Sequence, residues 1–272
     1  MAFPAQTATV VPGSGLDHID VWVFDLDNTL YPASCNLFDQ VDRRMGEFIA
    51  RTLGLDFDSA RRLQKQYFYE HGTTLRGLMT VHGLEPDAFL EYVHDIDLSM
   101  LPPSEALDAA LQMLDGRKLI FTNGTASHAW RVVEHLGVAR HFEAVVDIAA
   151  SDYLPKPDPR AYEALIRRFG IRPESAALID DMATNLLPAH ALGMTTVWVR
   201  HGYAWAHPPS CDDHVHHMID DLVSWLTDLV AARQRACDGE RTGAGGSRPA
   251  HAASGPGRGD GGTGTADRTG LE

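Results

Sequence analysis

Short, unbroken apolar runs that end in a polar residue alternate along this chain with longer stretches whose apolar residues recur every three or four positions. The first kind reads as buried strands of a parallel sheet, the second as helices laid against it. Val21-Trp22-Val23-Phe24 opens the series and delivers Asp25 and Asp27, so a first strand is expected over about 19–25. Residues 118–121, 144–148, 176–179 and 195–199 give the later strand signals. Between them, helical stretches over 126–136, 159–169 and 186–192 are stopped by Gly137, Gly170 and Gly193, the residue that most readily closes a helix. This alternation predicts an α/β fold, a parallel sheet flanked by helices on both faces.

One part of the chain breaks the rhythm. From Tyr31 to about Leu114 the pattern is helical only, with Phe38, Val41, Met45, Phe48 and Ile49 on one face of a first helix and Ala60, Leu63, Tyr67 and Phe68 on a second. Residues 85–93 suggest another, and Ser104 after Pro102-Pro103 is placed to cap a last one over 104–114. An all-helical insertion between the first two strands is a candidate lid, so residues 32–114 are expected to form a helical cap domain over a core of 18–31 and 115–235. Residues 1–17 read as a flexible leader, and 236–272, rich in Gly and Arg and poor in apolar residues, as a disordered tail.

Composition narrows the function. A chain of 272 residues, 44% hydrophobic, is ample for one core plus an accessory lobe. Its net charge of -14 argues against a nucleic-acid polymer as partner. A small anionic substrate stays compatible, because a bound metal and one lysine reverse the sign locally. Cys35, Cys211 and Cys237 show no metal spacing and read as reduced thiols. With no basic, apolar leader and no run near the ~20 apolar residues of a spanning helix, a soluble cytoplasmic protein without a membrane partner is expected.

Four polar stations fall at or just after strand ends: Asp25 and Asp27, Thr122-Asn123, Lys156 within Leu154-Pro155-Lys156-Pro157-Asp158-Pro159, and Asp180-Asp181. Ligands of open α/β sheets bind outside the carboxyl ends of the strands, where these stations can meet. Carboxylates that close together need a cation, and an all-oxygen donor set suits a hard one, Mg²⁺. The set matches phosphoryl transfer to a carboxylate. Asp25 would attack phosphorus, and Asp27 would protonate the departing oxygen and later deprotonate water. Asp181, with Asp180 beside it, would complete the metal shell, while Thr122, Asn123 and Lys156 would hold the phosphate oxygens. Any one Asp could equally cap a turn, and Lys156 alone could be a solvated loop residue; it is the four together, in order, that carry the reading. His214, His216 and His217 lack supporting ligand spacing and read as a polar surface segment.

On these residues the chain resembles the haloacid dehalogenase superfamily of phosphohydrolases. Asp25-Leu26-Asp27-Asn28-Thr29-Leu30-Tyr31 is similar to its first motif, Thr122-Asn123-Gly124 to the second, Lys156 to the third, and Ile179-Asp180-Asp181 with Asn185 to the fourth. The resemblance implies a Rossmannoid core, Mg²⁺ dependence, and a metal contact through the Asp27 backbone carbonyl beside the carboxylates of Asp25 and Asp181. Within the insertion, His71-Gly72-Thr73-Thr74-Leu75-Arg76-Gly77-Leu78, together with Asp152-Tyr153-Leu154-Pro155-Lys156-Pro157, resembles the pyrimidine 5′-nucleotidase family, which implies UMP- and CMP-like substrates. Lid residues should select the leaving group, and Tyr67, Thr73, Thr74 and Arg76 are the expected contacts. The alternatives are another small ester such as phosphoglycolate or a sugar phosphate, a phosphomutase, a 2-haloacid dehalogenase, or a non-catalytic binding module. Asp27 argues against the dehalogenase, which has no alkoxide to protonate.

Overall fold

The computed structural model describes residues 15–202 and 213–243, with side chains described to residue 235. Six strands form one parallel sheet: β1 Val21–Phe24, β2 Arg117–Phe121, β3 Ala144–Val146, β4 Ala176–Asp180, β5 Thr195–Val199 and β6 His217–Ile219, in the order β3-β2-β1-β4-β5-β6. The pleat sends alternate residues to two separate apolar layers. Val21 and Val23 join Leu119, Phe121 and Leu178 on one face, while Trp22 and Phe24 join Ile120, Ala177 and Ile179 on the other. Helices α7 Pro159–Phe169 and α8 Ala183–Ala191 cover the first face through Tyr162, Leu165, Leu186 and Ala189. Helices α5 Glu105–Met113, α6 Ala126–His135 and α9 Leu222–Gly243 cover the second through Leu107, Leu111, Val132, Leu226 and Leu229. That is why β1 reads as an uninterrupted apolar run: both its faces are dry.

The strand order turns at β1, which has β2 on one side and β4 on the other. This is the switch point at which open sheets bind ligands, and Asp25 leaves β1 there. Two elements lie beyond the sequence expectation. β6 is a short edge strand built from part of the histidine-rich segment that reads as polar surface, and α9 is a helix running past residue 236, where the composition places the start of the tail. The leader expectation for 1–14 and the tail expectation for 244–272 lie outside the described residues. No helix among the described residues is long and apolar enough to cross a membrane.

The insertion holds α1 Leu37–Leu53, α2 Phe57–His71, α3 Thr74–His82 and α4 Pro86–His94. Asp56 caps α2 by accepting from the Ser59 amide, and Thr73 caps α3 by accepting from the Arg76 amide. On the mating faces of α1 and α2, Asp42 accepts from Arg61, Gln64 and Lys65. α5 belongs with the sheet layer rather than with this group: its cap Ser104 donates its amide to Leu136 O, and Asp108 pairs with Arg140 and His141. α5 thus lies within the expected span 32–114 yet is bonded through Ser104 and Asp108 to residues 136–141, the stretch that follows α6.

Gly77 on α3 lies flat against the Tyr67 ring of α2. A Cβ at Gly77 would stand 2.4 Å from both Cβ and Cγ of Tyr67, a contact that forces the helices apart. Gly77→Ala should therefore lower stability by roughly 1–3 kcal/mol despite its better helix propensity; urea or thermal denaturation reads this directly.

Candidate active site

Asp25 stands one residue beyond β1, its amide bonded to Ile179 O of β4 at 2.8 Å. Its carboxylate accepts from Lys156 Nζ at 2.7 Å. The same ammonium donates to Asp180 Oδ2 at 2.6 Å and to Phe121 O at 2.7 Å. An ammonium has three N–H donors, and all three are engaged. The sequence reading gives Lys156 to the phosphate oxygens; in this structure its donors tie together the ends of β1, β2 and β4.

Asp180 is equally occupied. Its Oδ1 accepts from the Met182 amide and from Asn185 Nδ2, both at 2.9 Å, while Oδ2 takes Lys156. It anchors the lysine and the start of α8, leaving Asp181 as the freer carboxylate of the pair. Asp181 Oδ2 lies 2.7 Å from His201 Nε2. Asp25, Asp180 and Asp181 are all buried, and one oxygen from each lies within 4.8 Å of the other two.

Three buried carboxylates face one ammonium, so the cluster carries excess negative charge. Burial pushes the pKa of Asp25 well above the carboxylate range; Lys156 pulls it down and Asp180 and Asp181 push it up, and burial prevails. Asp181 is raised by burial and by Asp180 in the same way. Burial alone would depress Lys156, yet the charges of Asp180 and Asp25 outweigh it and hold the ammonium form. An all-oxygen pocket short of positive charge fits a hard divalent cation.

Asp27 faces elsewhere. β1 ends at Phe24, so the two aspartates sit on a loop and not on one strand face. The Asp27 carboxylate lies outside the triad; its Oδ1 accepts from the Tyr31 hydroxyl at 2.6 Å and contacts His128 Nε2 at 3.0 Å. Burial would raise its pKa, but the neighbouring His128 and the Tyr31 hydroxyl outweigh that and lower it. Asn28, at φ 61°, turns the chain immediately afterwards, a conformation that Asn tolerates better than most residues.

The Thr122 Oγ1 accepts from the Gly124 amide at 2.9 Å, which leaves its own hydroxyl proton to give. The Asn123 side chain donates to Lys156 O at 3.2 Å and accepts from Lys156 N at 2.8 Å, clamping the lysine loop. Arg76 donates to Tyr153 O at 3.2 Å, and the Tyr153 hydroxyl donates to Asp87 at 3.1 Å, so both join the cap to that same loop. Three other expected leaving-group contacts have structural work. Thr73 caps α3, the buried Thr74 hydroxyl donates to Gln64 O, and the Tyr67 hydroxyl meets His82 Nε2 at 2.7 Å inside the cap. Cys35 is a free thiol whose pKa burial pushes up, which argues against a nucleophile.

Sequence reasoning missed Tyr31, His128 and His201. Tyr31 lies four residues after Asp27, a spacing that one turn brings together. His128 and His201 meet their aspartates across 101 and 20 residues, and no local pattern announces that.

A model of the haloacid dehalogenase-like hydrolases matches residues 19–193. The chain is 30% identical over 228 residues to phosphate metabolism protein 8 of Saccharomyces cerevisiae, an alignment covering 77% of this chain and 65% of that protein. It thus spans just under two thirds of that relative's length. It is 29% identical over 225 residues to a glyceraldehyde 3-phosphate phosphatase of Methanopyrus kandleri, covering 76% of this chain and 95% of the relative. Among solved structures, a predicted phosphoglycolate phosphatase from Haemophilus somnus superposes with a TM-score of 0.53 at 17% identity, over 78% of this chain and 99% of that one. At that identity the likeness speaks for the fold alone.

Proposed function

This chain belongs to the haloacid dehalogenase-like hydrolase family, and on that premise we propose that it is a Mg²⁺-dependent phosphomonoesterase acting on pyrimidine nucleoside 5′-monophosphates such as UMP and CMP. The observation that carries the reading is the buried meeting of Asp25, Lys156, Asp180 and Asp181, with Asp27 held alongside by Tyr31 and His128.

The carboxylates of Asp25 and Asp181, and the backbone carbonyl of Asp27, would hold the cation, with Asp180 steadying the lysine behind them. Bound there, Mg²⁺ supplies charge neutralisation for the phosphoryl group and its carboxylate partner. An Asp25 oxygen attacks phosphorus in line, and the bond from phosphorus to the ester oxygen breaks. Asp27 gives its proton to that oxygen, releasing the nucleoside and leaving an aspartyl phosphate on Asp25. Asp27, now a carboxylate, takes a proton from water, whose oxygen attacks phosphorus. The bond to Asp25 breaks, and phosphate departs. The lowered pKa of Asp27 suits this second step. In the first step the arriving phosphate dianion favours its protonated form. Thr122, with a hydroxyl proton to give, would donate to a phosphate oxygen.

The nucleotide assignment rests on the resemblance of the segment His71 to Leu78 and of the Asp152 to Pro157 loop to the pyrimidine 5′-nucleotidases. Arg76 ties those two segments together, and we place it near the leaving group. The archaeal relative's name favours a second reading, a small triose-like ester. Phosphate release measured across UMP, CMP, glyceraldehyde 3-phosphate, phosphoglycolate and hexose phosphates decides between them. UMP or CMP should lead, and excess chelator should abolish release from every ester. A non-nucleotide turned over equally well overturns the nucleotide assignment; activity that survives chelation overturns the metal.

A further inference from the structure

His128 sits in the first turn of α6, in the sheet layer, 1% exposed. Its Nε2 faces the Asp27 carboxylate at 3.0 Å. A carboxylate only accepts, so Nε2 carries the hydrogen and donates. The opposite nitrogen, Nδ1, is buried without a hydrogen-bond partner. One hydrogen bond leaves an imidazole free to pivot about its axis, and something else must fix the ring plane.

That something comes from the cap. His94, the last residue of α4, lays its ring on that of His128 with centroids 4.5 Å apart and planes 14° apart. His94 is in turn fixed from the sheet layer. Arg131 of α6 donates to His94 O at 3.0 Å and to Ile96 O at 3.1 Å, and Thr125 Oγ1 lies 3.3 Å from His94 Nδ1. The same Thr125 oxygen accepts from the His128 amide at 3.2 Å. Gly124 makes room for the pair, since a Cβ there would stand 3.3 Å from His94 Nε2 and 3.5 Å from His128 Cδ2. Burial lowers the pKa of His94 to about 3, with the adjacent His128 adding to the effect, so a neutral ring is stacked there at neutral pH.

We propose that His128 is a positioning residue that holds the Asp27 carboxyl group in line with the leaving oxygen, and that His94 of the cap holds His128. Proton delivery then depends on how the end of α4 is seated. An acid set wrongly by a fraction of an ångström still binds substrate but transfers its proton poorly. The inference deepens the phosphatase reading above and rests on it.

The test separates an ester that needs a proton from one that does not. Single-turnover release of the leaving group, with enzyme in excess and Mg²⁺ present, isolates the first half-reaction. The best alkyl ester of the substrate screen expels an alkoxide and needs the acid; p-nitrophenyl phosphate expels a stabilised phenolate and does not. In His128→Phe, which keeps a flat ring but loses the N–H, alkyl-ester release should fall about 100-fold. Release from p-nitrophenyl phosphate should stay within about fivefold of wild type, which also shows that the variant is folded. His128→Gln, which returns an N–H near the Nε2 position, should recover part of the alkyl rate. His94→Ala should show the same selective loss in smaller degree. Equal losses on both esters, or no loss on the alkyl ester, overturn the inference while leaving the phosphatase reading intact. A wild-type chain that releases neither leaving group overturns that reading and this inference together.

Discussion

Asp25→Asn should lower phosphate release by about four orders of magnitude or more while leaving the fold intact. The amide matches the carboxyl group in shape, and its oxygen can still accept from Lys156 Nζ, which also keeps Asp180 Oδ2 and Phe121 O as partners. What it cannot do is attack phosphorus and form an acyl phosphate. The substitution also removes one of three crowded carboxylates. In the metal-free protein it should therefore hold or raise the melting temperature, since burial and the neighbouring Asp180 and Asp181 disfavour the charged form of Asp25. Loss of turnover without loss of stability is the signature of a nucleophile; a variant that turns over at the wild-type rate removes Asp25 from that role.

The convergence behind this prediction is largely legible in the sequence, for a physical reason. Each strand of a doubly covered sheet must be apolar along its length, so the first polar residue after each run marks the carboxyl edge. Asp25, Thr122 and Asp180 announce themselves in this way, and the parallel order brings them to one rim. What the stations do to one another is not local and could not be read. Lys156 is separated from Asp25 by 131 residues, and only the folded chain shows its donors consumed by the site itself. Asn123 looks like a ligand contact in sequence because it is polar and follows a strand. In the fold it satisfies the backbone of the Lys156 loop, a demand that any buried loop makes.

The cap shows the same division. Its helices are written in the spacing of Val41, Phe48 and Ile49, and in the caps at Asp56 and Thr73. The segment from His71 to Leu78 resembles a substrate-selecting motif, yet Thr73, Thr74 and Gly77 are held there by capping, interhelix bonding and close packing. α9 carries the helical spacing too, in Leu222, Leu226, Leu229 and Val230, and continues into a Gly-rich composition that gives no such spacing. β6 has only three residues, too few for any period to show.

Lys156→Met should be the most destabilising substitution at the site and should make the protein depend on Mg²⁺ for stability as well as for turnover. Methionine keeps the length of the side chain and removes its charge and all three donors. Phe121 O, Asp25 Oδ1 and Asp180 Oδ2 would then lose a shared partner in a setting where Lys156 is 2% exposed. Breaking a buried ion pair from one side costs about 3–5 kcal/mol, because the opposite charge is left behind. For a chain of this size that is a fall of roughly 10 °C in melting temperature. The remaining carboxylates would be more negative than in the wild type, so added Mg²⁺ should raise the melting temperature of the variant further than that of the wild type, by supplying charge where the ammonium stood. Turnover should stay about 100-fold or more below wild type even at saturating metal, since Asp25 would lack the donor that fixes its carboxylate. The alternative is that Lys156 serves chiefly to grip the substrate's phosphate. In that case the substrate's KM rises, the metal-free melting temperature stays near the wild-type value, and Mg²⁺ shifts both proteins alike. Melting curves of the two proteins with Mg²⁺ and with chelator distinguish these outcomes, because a counter-ion for buried carboxylates is needed before any substrate arrives.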